Sequence, residues 1–176
     1  KNYNFLKEVD LKKIKTSNSL LIDKKFLDGL EDYGTFNIFH KSSSYIDSII
    51  SNRCYMGFSY KGNLNSFVHG NTYTNFESIN GKERDSGIIG TSFMKSNKYV
   101  IQNYFEDYKK VELFFTNPTK NKVFFNVNKH SYFLDHGSSK LIKLSRPKRI
   151  EIISNCYFLR PLVFTYFNDF IDVFHG

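Results

Sequence analysis

VELFFTNPTKNKVFFNVNKHSYFLDHGSSKLIKL, residues 111–144, carries the clearest structural signal in the chain. Val111, Leu113 and Phe115 fall at every second position, with Glu112, Phe114 and Thr116 between them. Side chains alternate across a strand, so one face of this segment is apolar and the other mixed. The run 117–121, Asn-Pro-Thr-Lys-Asn, holds a proline, which cannot donate to a strand ladder, and so reads as a turn. Val123, Phe125 and Val127 resume the alternation. Asn128-Lys129-His130 makes a tight polar connection before Ser131, Tyr132, Phe133 and Leu134. Asp135-His136-Gly137-Ser138 turns the chain again before Leu141, Ile142 and Leu144. Successive short hairpins of this kind build antiparallel sheets.

Working outward, the rhythm extends from Arg53 to the C-terminus. Short aromatic and β-branched segments alternate with Gly, Asn, Asp and Pro, the spacing of an all-β sandwich or barrel. The expected strands are 54–60, 66–69, 88–93, 99–105, 111–116, 122–127, 131–134, 140–144, 149–153, 158–166 and 170–174. Before them, Ser42, Ser43 or Ser44 can cap a short helix over 42–52, with Tyr45, Ile46, Ile49 and Ile50 on one face. Residues 1–41 are lysine-rich and lack a sustained period, which suggests an irregular N-terminal arm ahead of a domain spanning 42–176. The chain opens on Lys1, so the reading expects a segment upstream.

The layout of residues 110–153 is similar to the immunoglobulin-like and jelly-roll modules that accompany many secreted and surface proteins. The similarity lies in strand and turn rhythm. It implies an antiparallel β-sandwich and a secreted or cell-surface setting, with an organelle as the alternative.

Composition agrees. The 176 residues include 19 Phe and 12 Tyr, with no tryptophan and no alanine. Aromatic residues favour strands and alanine favours helices. An AT-rich genome would produce the same bias, so composition counts only together with the alternation. The formal net charge of +8 suits acidic partners such as nucleic acid, anionic polysaccharide or an acidic protein. The most apolar stretch, near the C-terminus, is interrupted by Arg160, Pro161, Asp169 and Asp172, against the unbroken apolar run a spanning helix needs. Cys54 and Cys156 lie far apart and fit no zinc spacing; whether they pair is left open.

Catalytic signatures are missing. The five histidines form neither HExxH nor His-x-His, and no G-x-S-x-G elbow occurs. Asp135-His136 sits in a Gly-Ser turn, where a turn aspartate beside a solvated histidine is the simpler interpretation. No cofactor is implied. Two sets of residues carry binding chemistry instead. Tyr55, Tyr60, Lys61, Asn63, His69, Asn71 and Tyr73 combine rings that stack on sugars or bases with groups that hydrogen-bond to hydroxyls. The loop at Lys82, Arg84 and Asp85 adds exposed charge. Separately, Lys140, Lys143, Arg146, Lys148 and Arg149 form a basic group suited to anions. These features point to a non-enzymatic recognition or assembly module for carbohydrate or a protein partner. The alternatives are a basic RNA-contacting subunit of a ribonucleoprotein, such as an organellar ribosome, and a hydrolase centred on Asp135 and His136.

Overall fold

The computed structural model describes residues 20–22, 55–63, 66–69, 93–117, 121–156 and 159–176. The N-terminal arm apart from residues 20–22, the expected helix over 42–52, Cys54 and the loop at 82–85 lie outside the described residues. So does the expected strand 88–93, apart from Phe93. Within them the chain is all-β, with ten strands and no helix. The strands are β1 (Tyr55–Phe58), β2 (Ser66–His69), β3 (Phe93–Gln102), β4 (Lys110–Thr116) and β5 (Val123–Val127). There follow β6 (His130–Leu134), β7 (Ser139–Leu144), β8 (Arg149–Cys156), β9 (Leu162–Tyr166) and β10 (Ile171–His175). All strand pairings among the described residues are antiparallel. Among the described residues no helix is long and apolar enough to cross a membrane.

Two four-stranded sheets, ordered β10-β9-β4-β7 and β3-β8-β5-β6, share one core. The alternation of residues 111–144 decides which side chains enter it. Val111, Leu113 and Phe115 of β4 are buried and meet Val123, Phe125 and Val127 of β5, also buried. The rings of Phe115 and Phe125 lie 4.6 Å apart, one from each sheet. Val163, Ile142, Ile150, Ile152 and Ile101 complete the layer. Cys156 is a buried thiol within it. Full burial of such a side chain stabilises by about 1.5–3 kcal/mol each, so the inward set is the main driving force.

One end of this core is closed by Asn117, which is fully buried. Its side-chain amide donates to the carbonyls of Asn121, Leu134 and Asp135 at 2.8, 3.0 and 3.1 Å. Its backbone N–H donates to the Ser138 carbonyl, and its own carbonyl accepts from the Gly137 N–H. A single asparagine therefore ties the β4–β5 loop to the β6–β7 turn. Gly137 supports that turn at a φ of 64°, in the left-handed region where a Cβ is costly.

The second apolar cluster lies on the outer face of the first sheet. The hairpin β1-β2 packs there: Val68 is buried with Ile171 and Val173, and Met56, Phe58 and Tyr60 lie against Leu162, Phe164 and Tyr166. Phe58 meets Phe164 edge to face at 5.1 Å. Ser66 satisfies the outer edge of β10, accepting from the Val173 N–H at 2.9 Å and donating to its carbonyl. Gly57 lets the hairpin stay thin, because a Cβ there would come within 2.9 Å of the Phe67 ring.

Burial and partner count set the expected mutational costs. Leu113→Ala should lose about 2–5 kcal/mol through the cavity it leaves. Asn117→Ala should lose roughly 2–3 kcal/mol through unpaired buried carbonyls. Phe124→Ala, at a position 55% exposed, should change stability by less than about 0.5 kcal/mol. Urea unfolding of the three variants checks this order.

Candidate functional site

The structure brings four connections to one end of the sheets: the β1–β2 turn, the β3–β4 loop, the β7–β8 turn and the β9–β10 loop. Their common footing is Glu112, a buried carboxylate on the outer face of β4. It accepts hydrogen bonds from Lys110 at 2.7 Å and from the Tyr166 hydroxyl at 2.9 Å. The Lys110 ammonium also lies 4.2 Å from the Tyr166 ring centre. A buried charge is tolerated when paired and hydrogen-bonded in this way. Burial, followed by the bond to the Glu112 carboxylate, raises the Tyr166 phenol well above its ordinary value.

On this base Tyr60 packs edge-on against Tyr166 at 5.4 Å. The β1–β2 turn then grips the neighbouring loop. Lys61 Nζ donates to the Asn168 carbonyl at 2.9 Å, and Asn63 Nδ2 donates to the Asp169 carbonyl at 3.0 Å. The β9–β10 loop is folded on itself by Phe167, whose ring stacks on Phe170 at 4.3 Å and 8°. Phe167 also meets Phe105 edge to face at 5.1 Å, which draws in the β3–β4 loop. Asn103 Oδ1 accepts from the Phe105 N–H, and the Asn103 N–H donates to the Lys148 carbonyl. Arg146 of the β7–β8 turn donates to the Glu106 carbonyl and lies over the Tyr108 ring. Burial raises the Tyr108 phenol and Arg146 opposes that shift. The loops are thus linked mainly by side chains that bond to backbone carbonyls of the neighbouring loop and by ring contacts.

What this end presents is aromatic and charged. Tyr104 is 86% exposed, Phe105 49% and Phe170 40%. Around them lie the cations Lys61, Arg146, Lys148 and Arg149 and the anions Glu106, Asp107 and Asp169, all exposed. Lys61 and Arg146 hold positive φ values of 53° and 42°. Left-handed backbone is uncommon for long side chains and gathers at functional loops.

The residues singled out by sequence are divided by the fold. Tyr60, Lys61, Asn63, Arg146, Lys148 and Arg149 come to this end. Tyr60 is half-buried, so its role is to support Tyr166. Tyr55 pairs with His69 at the opposite end of the hairpin. There the His69 ring lies 4.6 Å from that of His175, and the His175 imidazole is held below its usual range, chiefly by burial. Lys140 lies at that far end over Tyr132, and Lys143 lies on the outer face opposite Glu112. Asn71, Tyr73, Lys82, Arg84 and Asp85 lie outside the described residues. Asp135 and His136 are exposed on their turn, where Asp135 pairs with Lys122 at 3.0 Å. Among the described residues no group of three or more His, Cys, Asp or Glu could hold a metal ion. Tyr104, Phe105 and Phe170 were not distinguished by sequence. Their signal was proximity to polar loop residues, Asn103 and Asn168-Asp169, rather than periodicity.

Comparisons with protein-family models, with curated proteins and with solved structures find no match to this chain.

The Tyr166–Glu112 bond sets a dependence on pH with a definite sign. The folded-state phenol titrates above the unfolded value of 10.0, so its contribution is complete below pH 10 and is lost as pH rises beyond it. Tyr166→Phe should flatten that alkaline decline and cost about 1–3 kcal/mol at neutral pH. Chemical unfolding between neutral and alkaline pH measures both effects.

Proposed function

We propose that this chain is a non-enzymatic recognition module that binds carbohydrate or a protein partner through its loop end. It would serve as an accessory domain of a larger surface protein or as a subunit of a complex. The observation that carries this reading is the exposure of Tyr104, Phe105 and Phe170 on loops pinned to one another. Aromatic rings on stiff loops provide large contact area at small entropic cost. They stack on sugar rings and act as anchors in protein interfaces. The charged side chains around them supply orientation.

Strand order favours an immunoglobulin-like sandwich over a jelly roll. A β10-β9-β4-β7 sheet against a sheet containing β3-β8 parallels the GFC-against-BE arrangement. In that scheme the β3–β4 and β9–β10 loops occupy the places of the B–C and F–G loops, which carry recognition in variable domains. The hairpin β5-β6 is then an addition that widens the second sheet.

A second reading, contact with RNA, draws on Lys148 and Arg149. Both are exposed, and neither makes an ion pair among the described residues. The two readings separate on salt: phosphate contacts release counterions and weaken steeply, whereas stacking does not.

Tyr104→Ala combined with Phe170→Ala should lower affinity on a glycan array, or for a protein partner, by about tenfold or more. Unchanged binding by that variant would discard the loop-end reading. Lys148→Glu with Arg149→Glu should leave stacking-driven binding nearly intact. A large loss of RNA affinity in the same variant, with a steep salt slope, would favour the second reading.

A further inference from the structure

Each outer strand of a sheet offers unpaired backbone groups that invite another chain, and proteins protect such edges. Of the four edges of the two large sheets, three are protected among the described residues. β10 is covered by Ser66, and His175 bonds to the His69 carbonyl beside it. β3 carries Lys98, tied to Glu151, and a register shift between Phe93 and Asn97. β7 carries Lys140 and Lys143. Among the described residues β6 carries no lysine, register shift or covering hairpin of its own; the Lys122 ammonium lies 4.6 Å from the Phe133 ring centre. The β6 sequence is His-Ser-Tyr-Phe-Leu, and among the described residues it pairs with β5 alone. His130, Ser131 and Phe133 are exposed, Phe133 at 54%, beside Phe124 at 55%.

The register fixes which groups this edge presents. Val127 and His130 flank the turn at Asn128 and Lys129, whose first residue has a φ of 54°. In a hairpin with so short a turn the flanking residues exchange both hydrogen bonds, and alternation follows along the ladder. Phe125–Tyr132 and Val123–Leu134 are therefore also bonded pairs. The N–H and C=O groups of Ser131 and Phe133 consequently point away from β5.

We propose that two copies of this chain join through antiparallel β6–β6 pairing, with a two-fold axis at Tyr132. Ser131 of each copy then exchanges backbone hydrogen bonds with Phe133 of the other. This register is self-complementary in charge. It sets Lys129 opposite Asp135 of the second copy, twice. Lys129 is exposed and makes no ion pair among the described residues, and Asp135 is exposed beside Lys122. Shifting the axis to Ser131 or Phe133 keeps the hydrogen bonds but loses both charge pairs. The joined β3-β8-β5-β6 sheets become one continuous sheet, and the Phe133 rings approach diagonally across the axis. The lysines of the two β7 edges repel, so the other sheets do not merge. Each copy uses one edge, and the assembly closes at a dimer.

Sedimentation equilibrium over a range of chain concentrations tests this. The chain should show a monomer–dimer equilibrium with no larger species. Ser131→Pro removes an N–H that β5 does not use, and should raise the dimer dissociation constant about tenfold or more. Phe133→Lys should do the same at an exposed position. Lys129→Glu should weaken the dimer by facing Asp135, and adding Asp135→Lys should restore it. Unchanged thermal unfolding of the diluted variants excludes misfolding as the cause. A chain that stays monomeric at every concentration, a dimer indifferent to both Ser131→Pro and Phe133→Lys, or open-ended growth would overturn the proposal.

Discussion

Every strand of the two large sheets has to hide one side, and with no alanine the side chains available for hiding are large. Phe115 and Phe125 occupy the middle of the space between the sheets, and Val111, Val123, Val127 and Val163 fill in around them. Interiors pack as densely as organic crystals, so branched and aromatic side chains that interlock leave little freedom for one sheet to slide on the other. That rigidity is what makes the ends of the strands usable. A loop rooted in Lys110 or Tyr166 is rooted in residues whose neighbours, Val111 and Thr165, are almost wholly removed from solvent.

The two ends are finished differently. One is closed by Asn117 through backbone acceptors, a self-contained arrangement that leaves its polar groups answered. The other is joined through side chains that reach between loops, Lys61, Asn63 and Arg146, and it leaves rings in water. The chain has satisfied one end and furnished the other. The buried Glu112 belongs to the furnished end. An apolar residue in its place would pack as well, but it would not hold Tyr166 and Lys110 in position.

Much of the sheet architecture was legible because period-two alternation is a local property. Ser66–His69 was read with its observed bounds, and β4 to β7 were read within a residue at each end. The differences have physical reasons. β3 was expected at 99–105, yet it begins at Phe93 and stops at Gln102, where the Asn103 side chain accepts from the Phe105 N–H and turns the chain. The irregular register between Phe93 and Asn97 breaks the alternation that would have revealed its first half. Residues 158–166 read as one strand, but β9 starts at Leu162, after Pro161, which has no N–H to give. The site was less legible. Whether an aromatic residue is core or contact depends on which strands neighbour one another. Tyr60 and Tyr104 look alike in sequence, and only the packing of Tyr60 on Tyr166 separates them.

The position of the β1-β2 hairpin has a consequence for biosynthesis. Its partners are β9 and β10, over a hundred residues later, as the separation of 107 between Ser66 and Val173 shows. A chain emerges from the ribosome in order, N-terminus first. Among the described residues, the side chains that cover Phe58 and Val68 come from 162–175, so these contacts form only after that segment has been made. Strands β9 and β10, made more than ninety residues after the hairpin, are the ones that put its apolar face away.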